Sequence, residues 1–194
     1  MSVKAFKYYS IQAGGTPQPV IGTYLTAAVT QNQINAANPQ GGLLQNLLTL
    51  TVADSTMFTG AAYADVVDPT TYFTERVRVV NVPSGTTVQV QGLQKPHPGG
   101  IYGTGSWVAL GDFAQNLYIQ AVAGNTGTLY IGTTAQMATT SGVGVIVSLV
   151  KVSAGVQPYE FSTSRQGLAN AETLSQYWID GTTGDKYLPS LGQV

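Results

Sequence analysis

The side chains able to do chemistry are few. His97 is the only histidine, and it sits in Lys95-Pro96-His97-Pro98-Gly99-Gly100. A metal centre of the usual kinds takes two or more His, Cys or carboxylate ligands at set spacings, and a serine nucleophile needs a base oriented by a third group. A lone histidine in a loop between two prolines reads as a solvated side chain. No G-x-S-x-G, H-E-x-x-H or G-x-x-x-x-G-K-[ST] pattern occurs, so the serine hydrolase, zinc hydrolase and P-loop chemistries lack their motifs. The acids form two close pairs, Asp65 with Asp68 and Asp180 with Asp185. Two carboxylates suffice for glycoside hydrolysis, but Asp65 and Asp68 precede Pro69, where Asp fixes a turn through its own backbone. Asp180-Gly-Thr-Thr-Gly-Asp185 lacks the alternate acids and the terminal Glu of an EF-hand and reads as a turn. Eleven Tyr and two Trp could stack on sugars, yet they are spread along the whole chain, which favours packing in a core and at interfaces. The residues therefore predict no catalytic group, no cofactor and no metal, in a protein that is not an enzyme.

The elements that would position these residues are set by an unusual composition. The 194 residues (20.3 kDa) hold 43% apolar and only 9% charged side chains, against about 25% charged in an ordinary soluble domain. The surface must then be covered by Thr, Ser, Gln, Asn and Gly, or by other protein. Low charge with this much apolar residue is not the signature of disorder. The net charge of -1, with eight basic residues scattered singly or as the pair Arg76 and Arg78, leaves no footprint for nucleic acid or for an anionic membrane. Cys is absent, which excludes disulfides and thiolate metal sites. No stretch approaches the ~20 apolar residues of a membrane span, and the two early lysines precede no apolar leader. The chain reads as made and kept in the cytoplasm, or released only by lysis.

From Asn46 onward the pattern is period-two and rich in Val, Thr, Tyr and Ile, the signal of strands half buried in a sheet. Leu48, Leu50 and Val52 alternate with Thr49 and Thr51. Val77, Val79 and, after a bulge, Val80 and Val82 lead through Pro83-Ser84-Gly85 into Val88 and Val90, the clearest hairpin in the chain. Further strands are expected over residues 107–110, 116–122, 128–131 and 143–152. The last of these is apolar enough to be buried on both faces. Short strands without long helices between them predict an all-β, antiparallel sandwich or barrel.

Three parts are expected: an N-terminal arm or edge segment (1–45), a β-sandwich core (46–163) and a C-terminal tail (164–194) with a short helical turn that packs on the core or a neighbour. Between Tyr8 and Ala53 no residue is charged, and Gly14-Gly15, Pro17, Pro19, Pro39 and Gly41-Gly42 break the segment repeatedly. Helical character near the end of residues 20–37 is weakened by β-branched residues and Gly22. Two readings stand: ordinary loops and edge strands, or an adhesive arm covered by a partner. On the arm reading the partner-binding residues are Phe6, Tyr8, Tyr9, Ile11, Val20, Ile21, Tyr24 and Leu25, joined by Tyr177 and Trp178 in the tail.

Trp107-Val-Ala-Leu-Gly, Asn116-Leu-Tyr-Ile-Gln-Ala-Val, Thr128-Leu-Tyr-Ile-Gly and Gly142-Val-Gly-Val-Ile, with Tyr177-Trp178-Ile179-Asp180 closing the chain, resemble small structural proteins of tailed-bacteriophage virions. Capsid decoration (cement) proteins and head-fibre bases are the types concerned, over about Glu75 to Asp180. The resemblance implies a jelly-roll-like sandwich and a homo-oligomer, with a trimer favoured. It also implies a role on the outer head surface of a virion, where the chain binds the major capsid protein and stabilises the shell. A receptor- or carbohydrate-binding module of a fibre or tail, with its ligand site on loops such as residues 95–106, is the alternative.

Overall fold

Val79 lies opposite Val90, and Val77, Val79, Val88 and Val90 are buried at period two between more exposed polar residues, the pattern of a one-sided hairpin. The computed structural model describes residues 2–7, 9–12, 15–38, 47–114, 116–133, 145–149, 159–162 and 172–193. Along the chain the strands are β1 (Ser2–Ala5), β2 (Tyr9–Ser10), β3 (Gln18–Pro19), β4 (Gly22–Tyr24), β5 (Leu48–Thr51), β6 (Tyr63–Val67), β7 (Thr74–Ser84), β8 (Thr87–Gln91) and β9 (Trp107–Leu110). They continue as β10 (Phe113–Ala114), β11 (Asn116–Ala121), β12 (Leu129–Gly132), β13 (Val145–Leu149), β14 (Tyr159–Ser162), β15 (Glu172–Thr173), β16 (Trp178–Asp180) and β17 (Lys186–Gln193). One α-helix, α1 (Gln31–Ala37), is present among the described residues. The strand ladders are antiparallel, so the all-β class expected from the sequence is the class observed.

Residues Ile21–Asp112 form one unit. Its six strands run in the order β4-β9-β6-β7-β8-β5. The sheet curls until its two outer strands meet: Leu25 bridges Val52, and the Thr26 N–H donates to the Thr51 carbonyl at 2.9 Å. Inside the curl Leu50, Phe58, Val66, Val88, Val90 and Val108 are fully buried. The β7–β8 hairpin closes with Ser84 opposite Thr87, and its register shifts between Val79 and Asn81. That shift is a bulge at Val80, which turns two consecutive residues outward. Helix α1 forms where intrinsic propensity is weak because Thr30 and Gln33 make a reciprocal capping box and Ile34 is buried.

Residues Met1–Val20 and Phe113–Val194 form the other unit. One sheet has the order β1-β17-β11-β14, with β2 also on β17; another has the order β13-β12-β16-β3; β10 pairs with β15. Leu117 and Ile119 point inward while Asn116, Tyr118 and Gln120 do not, the alternation of a one-sided strand. Gln18, buried at the start of β3, donates to the Ser10 carbonyl and to the Tyr187 hydroxyl at 3.2 and 3.0 Å.

The chain therefore divides after Val20 and after Asp112, not after residues 45 and 163. The physical reason is backbone pairing: β1 and β2 meet β17, and β3 meets β16, so hydrogen bonds of the first twenty residues are satisfied by the last twenty. Strand β13 ends its described sheet and pairs with β12 alone among the described residues, not in the central place expected for residues 143–152. The rest of that stretch lies outside the described residues. Of the helical turn expected near residues 167–174, residues 167–171 also lie outside them, and a short 3-10 turn spans Leu174–Gln176.

Candidate functional site

The groups with chemical potential converge where β7 meets the loop between β8 and β9. His97, expected in solvent, is only 2% exposed. The flanking prolines hold it extended, and it forms a bridge with Val29, N–H to carbonyl in both directions at 2.9 and 3.0 Å. Its Nε2 lies 2.9 Å from Glu75 Oε2 and its Nδ1 3.3 Å from Ser106 Oγ. Glu75 also accepts the N–H groups of Gln94 and Lys95, both at 3.0 Å. Phe73 stacks on the His97 ring at 6.5 Å, and Lys95 Nζ lies 4.0 Å over Phe73.

An acid, an imidazole and a serine in line are the components of a nucleophilic relay. Here Ser106 is fully buried and the acid also accepts two loop backbone N–H groups, so the cluster latches the loop to β7. The sequence holds no local signal for this cluster. Its members are 22 and 9 residues apart, and no periodicity links them.

The other carboxylates are spent in the same way. Arg76 donates two 2.9 Å hydrogen bonds to Asp65 directly across the β6–β7 ladder, and this bonding raises the Arg76 guanidinium above its ordinary value. Asp68 accepts the N–H groups of Thr70 and Thr71. Burial would raise the Asp68 carboxyl, but those N–H groups, the Thr71 hydroxyl and nearby His97 outweigh it and hold the group below its usual value. The pair expected to fix a turn thus separates into a cross-strand ion pair and a turn.

Asp185 accepts the N–H groups of Thr126 and Gly127 at 2.7 and 2.9 Å. Asp180, fully buried, accepts those of Gly181 and Gly15 on Oδ1, and burial pushes its carboxyl up. Among the described residues Oδ2 of Asp180 has no hydrogen-bond partner. Among the described residues no group of three His, Cys, Asp or Glu is placed to hold a metal ion, and no helix is long and apolar enough to cross a membrane.

Of the residues expected to bind a partner, Ile11, Val20, Ile21 and Leu25 are between 0 and 2% exposed, and Tyr177 and Trp178 are also buried. Tyr24 is half-buried, edge-on to Tyr102 and Trp107. Phe6 is half-buried, as is Tyr9, which stacks on Tyr187 and whose hydroxyl is raised by burial. Tyr8 lies outside the described residues.

Among the described residues a different set is presented to solvent: Leu47, Tyr63, Tyr72, Phe73, Val80 and Ile101, the last 75% exposed. All belong to the unit of residues 21–112. Tyr72 holds a left-handed backbone (φ +57°), a conformation that is costly for a bulky residue. A sequence pattern could have singled out Tyr63 and Val80 only through the outward positions of β6 and β7, which periodicity assigns to polar residues.

Compared with known proteins, the chain matches no family model, no curated protein and no solved structure.

Proposed function

We propose that the chain is a non-catalytic virion structural protein of the capsid-decoration type. On this reading it binds the major capsid protein on the outer head surface and stabilises the assembled shell. The observation that carries the reading is the exposed apolar set of residues 47–101 on a chain with 9% charged residues. Burying such a side chain from full exposure is worth about 1.5 to 3 kcal/mol, and covering the part still exposed here would gain a fraction of that at each position. A ligand that binds only the assembled shell holds that state by mass action. The polar groups are spent on loop backbone, which suits a scaffold that must keep its shape on a particle. A jelly-roll-like arrangement and a homotrimer belong to the same proposal.

The second reading, a fibre or tail module that binds a receptor or glycan, is favoured by one feature. The loop of residues 95–106 ends beside the Tyr102–Trp107 ring pair, whose centroids are 4.9 Å apart, and Tyr102 remains partly exposed. Quantitative mass spectrometry of purified virions separates the two. A copy number comparable with that of the shell subunit supports decoration, a copy number of one vertex or tail supports the module, and absence from virions overturns both.

A further inference from the structure

The outward side of β7 combines apolar surface with a cation that has no partner among the described residues. Tyr63 is opposite Arg78 in the β6–β7 register, so the two side chains emerge on the same side. Val80, two residues beyond Arg78, emerges on that side by the period-two alternation of the strand. Tyr63 is 40% and Val80 44% exposed, and Arg78 is exposed as well. Arg76, two residues earlier, is locked to Asp65, whereas the Arg78 side chain makes no hydrogen bond or ion pair among the described residues.

An arginine between apolar neighbours fits a carboxylate flanked by apolar contacts. A second copy of this chain is poorly supplied with one. Of its nine acidic residues, the side chains of Glu160 and Glu172 are not described. Every other one accepts internal hydrogen bonds, and none of those is exposed. A single arginine on a chain of net charge -1 is also a poor footprint for nucleic acid.

We propose that the unit of residues 21–112 docks through Tyr63, Arg78 and Val80 onto a different polypeptide, one that presents a carboxylate to Arg78 beside an apolar contact. This rests on the virion reading and names the chemistry that the shell partner offers.

The test uses the full chain and shells purified from virions and stripped of it, mixed and sedimented together at two salt concentrations. Arg78→Glu should lower the bound fraction about tenfold and Tyr63→Ala several-fold, with unchanged thermal transitions. Arg78→Gln should bind more weakly than wild type and lose most of the salt dependence. If the wild-type chain binds and all three variants bind equally well, this face is overturned while the virion reading stands. If the wild-type chain does not bind, the virion reading fails and the face falls with it. A change of oligomeric state in Arg78→Glu would assign the face to a second copy, and competition by duplex DNA would assign it to a polyanion; either result overturns the proposal.

Discussion

Glu75 Oε2 lies 2.9 Å from His97 Nε2, and the same carboxylate accepts two backbone N–H groups of the loop that carries the histidine. One side chain of β7 thus fixes a long connection in place. Replacing Glu75 with Ala strands three donors in a nearly closed site and should cost about 3 kcal/mol or more. Ser106→Ala removes a single 3.3 Å contact and should cost about 1 kcal/mol. Urea unfolding of the two variants checks the ranking; equal small losses would show that the latch holds nothing.

The same loop depends on close backbone approach at Gly99. A Cβ there would run into the Ala27 and Ala28 backbone, next to the bridge between Val29 and His97. Gly99→Ala should therefore cost about 3 kcal/mol, whereas Gly85→Ala, where a Cβ meets nothing, should change little. A smaller shift in Tm for Gly99→Ala than for Gly85→Ala would contradict this packing.

Asp180 has its carboxyl raised by burial, opposed by the N–H groups of Gly181 and Gly15. A folded value above the unfolded one means that the folded state binds the proton more tightly. The stabilisation from that proton is complete below the ordinary carboxylate value, about 3.9, and is lost as pH rises through the raised folded value. Asp180→Asn, uncharged at every pH, should be more stable than wild type at neutral pH, and the difference should shrink on acidification through that window. Calorimetry of both proteins from neutral to acid pH reads it; a difference that grows in acid has the wrong sign.

Because β4 and β5 meet at Leu25 and Val52, the segment 21–112 closes on itself and should fold when expressed alone, with a cooperative thermal transition by circular dichroism. Removing residues 1–19 from the full chain strips β3 from β16 and both β1 and β2 from β17. It should abolish ordered structure in the other unit while leaving the transition of residues 21–112 in place. Loss of both transitions would contradict the division.

By itself the sequence determined the class of structure and the strands with regular alternation. Leu48 to Thr51, the hairpin about Gly85 and the strand from Asn116 are legible because period two in Val, Ile, Leu and Thr is a local property, whereas Val80, expected after a bulge in line with Val77 and Val79, is turned outward. Tertiary structure alone decided where the first twenty residues go. Two-residue strands cut by glycine and proline carry no periodicity, and their partners lie about 170 residues away in β16 and β17. It also decided the fate of His97: a local reading between two prolines gives a solvated loop, but Val29, Glu75 and Ser106 arrive from elsewhere in the chain and enclose it. Helix α1 shows the same limit, since weak propensity is overridden once Thr30 and Gln33 cap the turn and Ile34 finds a core. Which apolar side chains stay outside, Tyr63 and Val80 among them, depends on register, which is fixed only when the strands pair.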